Sequence, residues 1–90
     1  MDKREILERL QGRSRYAFKL KRSKEGFWYL TAKSKAGEVE ASIDAWGGFC
    51  VWNLPTGPEP GKLHQPNGEE KALELMEGFC ERLGMQPRII

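Results

Sequence analysis

Residues 13–35, RSRYAFKLKRSKEGFWYLTAKSK, predict a basic, aromatic β-hairpin around which the rest of the chain can be arranged. Between residues 15 and 21 apolar and polar side chains alternate, which is typical of a strand with one buried and one solvated face. The aromatic run at residues 27–31 favours a second strand. Residues 24–26 suit a three-residue turn in which Gly26 adopts a left-handed conformation.

This turn sets a register in which Arg22 lies opposite Trp28 and Leu20 lies opposite Leu30. The apolar partners then share one face of the hairpin, and the opposite face is cationic with two aromatic side chains. That second face is expected to carry Arg15, Lys19, Lys21, Phe27, Tyr29, Thr31 and Lys33. A slip of one residue would mix the two faces, so the pattern favours this register.

A third strand is predicted after a two-residue connection at Ala36-Gly37. This connection pairs Lys35 with Glu38, and it places Leu30 opposite Ile43. Opposite charges then meet on one face of the sheet and apolar side chains meet on the other. Such cross-strand pairs stabilise a sheet, so the two faces of the first hairpin continue across the third strand.

A fourth strand is predicted after Gly47-Gly48, a strong signal for a tight turn. A two-residue turn there pairs Trp46 with Phe49. The register then assigns Cys50, Trp52 and Leu54 to the core face. It assigns Phe49 and Val51 to the opposite face, together with Trp46, Tyr29 and Phe27.

One helix is predicted at each end of this sheet. Asp2 can cap the first, over residues 1–12, and Gly12 is expected to end it. Asn67 can cap the last, over residues 68–84, and Gly84 is expected to end that one. The last helix has an apolar stripe at helical spacing: Ala72, Met76, Phe79, Cys80 and Leu83. Residues 85–90 are expected to form a tail.

Residues 55–67 are expected to form a loop without helix or strand, because they contain four prolines and two glycines. A loop this long is either a functional lid or a crossover that carries the chain over the sheet, and the crossover is favoured. The whole chain, residues 1–90, is then a single α+β domain of order α-β-β-β-β-α. A four-stranded antiparallel meander over residues 13–54 has both helices on one face, and nothing left in the chain covers the other face.

Composition places the chain among ordinary globular proteins, with 39% hydrophobic and 31% charged residues and a net charge of +2. No apolar run approaches the roughly 18 residues that span a bilayer, and no apolar segment follows the N-terminal residues. We therefore expect no membrane association and a cytoplasmic location.

The net charge conceals an asymmetry along the chain. Residues 1–37 contain 11 Lys and Arg against 4 Asp and Glu, whereas residues 38–90 contain 4 against 9. The basic half could attract an anionic partner. Alternatively, the two halves could pair with each other across the fold, and this is the more common use of charged faces.

The residues that usually carry chemistry do not form a recognisable motif. Cys50 and Cys80 both fall on predicted core faces, which predicts buried, reduced thiols. His64 is the only histidine, and no nucleophile or orienting acid accompanies it in the sequence. We therefore expect no catalytic residues, no metal site, no small-molecule cofactor and no enzymatic activity.

The predicted exposed sheet face is the strongest functional signal in the sequence. It consists of an interaction surface, Phe27, Tyr29, Trp46, Phe49 and Val51, and a basic patch, Arg15, Lys19, Lys21, Arg22, Lys24 and Lys33. Exposed aromatic clusters favour binding of a protein partner or of a second copy of the chain. An adaptor, an inhibitor or an accessory protein of a phage or mobile element would fit this size.

The alternative is a nucleic-acid-binding module that uses the basic hairpin at residues 13–35, because cations beside aromatic rings also hold single strands. Glu40 and Asp44 are predicted to lie on the same face as Tyr29 and Trp46. Carboxylates there would repel phosphates but would be tolerated in a protein interface. The sequence therefore favours a protein partner.

Overall fold

The computed structural model describes residues 2–88. These residues form two helices and five antiparallel strands, joined by turns and loops. The elements are α1 Lys3–Arg13, β1 Lys19–Arg22, β2 Trp28–Ser34, β3 Gly37–Ile43, β4 Phe49–Pro55, β5 Lys62–His64 and α2 Glu69–Arg82. The strands lie in the order β1-β2-β3-β4-β5. The α+β class with a helix at each end is confirmed, and the predicted count of four strands is wrong by one.

The first hairpin has the register that the sequence predicts. Leu20 pairs with Leu30, and Arg22 pairs with Trp28. In the turn, the backbone N–H of Ser23 donates to the carbonyl of Phe27 at 2.8 Å, and Gly26 has a φ of 91°. Only glycine adopts this conformation without strain, so the predicted three-residue turn is confirmed.

The pairing of β2 with β3 differs from the predicted register by two residues. Leu30 pairs with Ala41 rather than Ile43, because the two-residue connection is Lys35-Ala36. Gly37 belongs to β3 instead. A Cβ atom at this position would lie 2.6 Å from the carbonyl oxygen of Leu54, which is too close, so the position requires glycine. An even shift keeps every side chain on its own face, so the predicted faces of β3 are retained.

The pairing of β3 with β4 differs by three residues, which reverses the faces of β4. Ile43 pairs with Phe49 and Ala41 pairs with Val51. Val51 is fully buried and Phe49 packs against the core. The predicted placement of these two residues on the exposed face is therefore wrong. Cys50, Trp52 and Leu54, which were predicted to face the core, lie on the opposite side.

The cause is the turn between these strands, which contains three residues rather than two. The carboxylate of Asp44 accepts the backbone N–H of Trp46 at 2.9 Å and that of Gly48 at 2.8 Å. Gly47 takes the left-handed position, with a φ of 85°. The loop is thus Ala45-Trp46-Gly47, the same kind as the loop that joins β1 to β2.

The proline-rich segment, residues 55–67, contains the short strand β5, so the prediction that it holds no strand is wrong. Trp52 pairs with Leu63, and Val51 pairs with His64. The prolines lie outside these three residues, so each residue of β5 retains the N–H that a strand needs. The segment therefore adds an edge strand before it leads to α2.

Both helices pack on the same face of the sheet, as predicted. Leu7 and Leu10 of α1 and Met76 and Phe79 of α2 join one core with the inner side chains of β2, β3 and β4. No helix within residues 2–88 is long and apolar enough to cross a membrane.

The predicted helix ends are partly correct. Asp2 caps α1 by accepting the N–H of Arg4 at 3.0 Å, but α1 continues past Gly12 to Arg13. Gly68 rather than Asn67 occupies the N-cap position of α2. Gly84, with a φ of 74°, follows the end of α2, as predicted.

Ion pairs join the basic first part of the chain to the acidic last helix. Arg9 binds Glu69 at 2.6 Å, and Arg13 bridges Glu69 and Glu70. Hydrogen bonding from Arg9, more than any other contact, lowers the pKa of Glu69. The two charged halves therefore neutralise each other at the junction of the helices, which is one of the two arrangements that the sequence allows.

The last described residues of the tail bind the C-terminal end of α1. The backbone N–H of Arg88 donates to the carbonyl of Arg15 at 2.6 Å. Its guanidinium donates to the carbonyls of Gln11, Gly12 and Ser14, where the helix dipole favours a cation. Met1, Ile89 and Ile90 lie outside the described residues.

Candidate functional site on the open face of the sheet

The face of the sheet opposite the helices is covered by no element of residues 2–88, and we call it the open face. Strand register places one row of side chains across its whole width. Thr31 pairs with Glu40, Glu40 pairs with Trp52, and Trp52 pairs with Leu63. Lys19 completes the row at the β1 edge, opposite Thr31. The open face therefore changes from cationic at β1, through acidic at β3, to apolar at β4 and β5.

A groove of about 610 Å³ begins on this face, between the turn that joins β1 to β2 and the turn that joins β3 to β4. It extends past the end of the sheet to Lys3 of α1 and to Trp28 and Ile43 on the helix side. Its floor contains Tyr29, Ser42, Cys50 and Trp52. Phe27, which is 67% exposed, contributes one wall. A volume of this size, with aromatic side chains and several polar and charged groups in its lining, is compatible with a binding site.

Two neighbouring carboxyl groups on β3, those of Glu38 and Glu40, influence each other's pKa on the open face. Hydrogen bonding to Glu38, followed by partial burial, raises the pKa of Glu40 from 4.5 to about 7. The same hydrogen bond lowers the pKa of Glu38, whose carboxylate also lies 3.5 Å from the ammonium of Lys33. Of the two, only Glu40 lines the groove. The site therefore contains a carboxyl group that titrates near neutral pH.

Some of the five residues of the predicted interaction surface lie on the open face, and the others do not. Tyr29 and Phe27 line the groove, and Trp46 is 92% exposed at the tip of its turn but does not line the groove. Phe49 and Val51 belong to the helix side, as described above. The sequence interpretation placed Glu40 on this face but outside the interaction surface, and it missed Cys50, Trp52 and Leu63, which also line the groove.

The predicted basic patch does not form a single surface. The Arg15 guanidinium lies 3.3 Å from the carboxylate of Glu77 on α2. The Arg22 guanidinium packs over the ring of Trp28, 5.3 Å from its centroid, on the helix side of the sheet. Lys33 pairs with Glu38. The remaining members, Lys19, Lys21 and Lys24, are exposed at the β1 edge and the adjoining turn.

The thiols and the histidine occupy different environments. Cys80 is fully buried, as predicted, and burial raises the pKa of its thiol to about 12. Cys50 is only half-buried and lines the groove, so its predicted place in the core is wrong. His64 lies on the other side of the sheet, its ring centroid 5.0 Å from that of Phe79. Among residues 2–88, no three His, Cys, Asp or Glu side chains are grouped to hold a metal.

The difference between the thiols predicts selective labelling. We expect iodoacetamide to modify Cys50 and to leave Cys80 unmodified in the folded protein, since Cys80 is fully buried. Mass spectrometry of peptides from the labelled protein measures both sites. In denaturant both thiols should react. Labelling of Cys80 before Cys50 under native conditions would contradict the orientation of β4.

Comparison with known proteins identifies no relative: no family model, no curated protein and no solved structure matches the chain. The geometry of the open face is therefore the basis for assigning a function.

Proposed function

We propose that this chain is a small, non-catalytic interaction module that binds a protein partner in the groove of the open face. The observation that carries this proposal is the aromatic floor, Tyr29 and Trp52, on a sheet face that the two helices do not cover. Soluble proteins rarely expose a contiguous apolar surface without a use for it. Tyrosine and tryptophan are also the residues most enriched at the energetic centres of protein interfaces.

A nucleic acid is the second candidate partner. The observation that favours it is the pairing of Lys21 with Tyr29, which puts a cation beside a ring on which a base could stack. The carboxyl groups of Glu38 and Glu40 lie on β3, between this pair and Trp52. A strand that stacked on both rings would bring its phosphates past these carboxylates, so a protein partner is favoured.

The groove is tested by affinity capture with purified variants from an extract of the source organism. We expect Trp52→Thr and Leu63→Ser to lose the partner that the wild type retains, because both residues line the groove. Trp46→Ser is the matched control, since it removes an exposed tryptophan outside the groove. Circular dichroism verifies that each variant folds. Identical partners for the wild type and both groove variants would reject the proposal.

Two further measurements test whether the partner is a second copy of the chain or a nucleic acid. Light scattering of the purified chain determines whether a second copy occupies the groove. Filter binding of single-stranded DNA and RNA at low salt tests the nucleic acid. Steeply salt-dependent binding that Lys21→Glu abolishes would favour a nucleic acid over a protein.

A further inference from the structure

We propose that the groove accepts a lysine or arginine side chain from a basic segment of the partner, with its stem over Trp52 and Tyr29 and its charged head against Glu40. This inference rests on the proposed function, because it specifies the chemistry of the segment that the groove binds. Charge, ring geometry and an incompletely compensated carboxyl group each support it.

The charge of the lining favours a cation. Three carboxyl groups line the groove, those of Glu25, Glu40 and Asp44, against the single ammonium of Lys3. Glu25 and Asp44 lie at the two turns that flank the groove, and Glu40 lies on β3 beside Trp52. An acidic segment would meet three carboxyl groups, whereas a basic segment would meet a single like charge, that of Lys3.

The aromatic floor suits the stem and the charge of such a side chain. Trp52 pairs directly with Glu40, so a cation that contacts this carboxyl group also lies beside the indole. The chain uses the same contact on its other face, where the guanidinium of Arg4 lies 4.8 Å from the Trp28 ring centroid. Within the described residues, Trp52 has no cation of its own stacked on it.

Glu40 is the carboxyl group that gains most from a new cation. Of the two cations that act on it, Lys33 is already paired with Glu38, and Lys21 lies two strands away on β1. Glu38 beside it and partial burial both favour its protonated form. An ammonium or guanidinium against Glu40 would displace that proton, so binding should weaken as the pH falls through neutrality.

The probe is a random peptide library displayed on phage and selected on the immobilised wild-type protein at about pH 8. Phage that also bind Trp52→Thr are removed. We expect the selected peptides to be enriched in lysine and arginine. Each peptide is then synthesised with arginine and with citrulline, its neutral isostere, and the citrulline form should bind about tenfold more weakly or worse.

Variants of the protein test the role of Glu40 in that binding. Glu40→Gln should weaken the arginine peptide about tenfold, and Glu74→Gln on the exposed side of α2 should leave its affinity unchanged. The wild type should bind about tenfold more weakly at pH 6 than at pH 8, because the pKa of Glu40 is about 7. Glu40→Gln should show no such pH dependence.

The outcomes distinguish this inference from the proposed function. Neutral or acidic peptides that bind the wild type but not Trp52→Thr would overturn the cationic partner and leave the groove as the binding site. Equal affinity of the arginine and citrulline peptides would also overturn the cationic partner and leave the groove as the binding site. If no phage remain after those that bind Trp52→Thr are removed, the groove itself, and with it the proposed function, is rejected.

Discussion

Replacing Val51 with aspartate is expected to unfold the protein, whereas Cys50→Asp should leave it folded. Val51 is fully buried, where it pairs with Ala41 on one side and His64 on the other. Burial among apolar side chains would desolvate a carboxylate there, and the neighbouring His64 ring would compensate only part of a cost of about 4 kcal/mol or more. This is most of the stability of a small domain. Circular dichroism and urea unfolding measure the effect.

The adjacent position is the matched control, because it receives the same side chain on the opposite face. Cys50 is half-buried in an open groove, so aspartate at that position keeps access to water and should cost about 1 kcal/mol. The register inferred from the sequence alone makes the opposite prediction, with Cys50 in the core. A folded Val51→Asp variant together with an unfolded Cys50→Asp variant would contradict the structure, because it would mean that Cys50 and not Val51 faces the core.

The two faces of β4 were assigned wrongly because the turn that precedes this strand was misread. Gly47-Gly48 favours a two-residue turn on composition alone. The pattern of the first hairpin, Ser23 followed three residues later by Gly26, recurs as Asp44 followed by Gly47. In both turns the first side chain accepts a backbone N–H from four residues on, at 3.0 Å and 2.8 Å respectively. That repeated signal was present in the sequence, and it would have placed Trp52 on the open face.

Other differences had no comparable local signal. An even shift such as the one between β2 and β3 leaves the hydrophobic pattern unchanged, so alternation cannot detect it. It is set instead by the close approach of Gly37 to Leu54 of β4, a contact between distant parts of the chain. Similarly, β5 is too short to show a period of its own. The first hairpin and the apolar faces of the helices are local patterns, and those were predictable.

The candidate site was predictable as a face but not as a set of residues. An uncovered sheet face with Tyr29 and Phe27 follows from the alternation of the first hairpin and from the number of helices. Its remaining lining comes from β4 and β5, whose placement needed the correct turn. The raised pKa of Glu40 depends first on hydrogen bonding to Glu38 and then on partial burial, and no sequence pattern reports either.

Replacing Glu40 with glutamine is expected to stabilise the protein at about pH 8 and to have little effect at about pH 4. The folded protein raises the pKa of Glu40 from 4.5 to about 7, so the folded chain holds this proton more tightly than the unfolded chain does. Its stabilising contribution is complete below 4.5 and is lost as the pH rises through 7. Solvent screening of a half-buried group and the opposite shift of Glu38 reduce the effect to about 1 kcal/mol.

Urea unfolding of the wild type, Glu40→Gln and Glu74→Gln at both pH values measures this difference. Glu74→Gln should match the wild type at each pH, since Glu74 is exposed on α2. An equal gain from Glu40→Gln at both pH values would mean that the raised pKa of Glu40 is not its cause. If the pH-dependent gain is found, and the same substitution weakens the arginine peptide, then Glu40 destabilises the fold while it serves binding. A carboxyl group retained at such a cost is expected at a functional site and not on an idle surface.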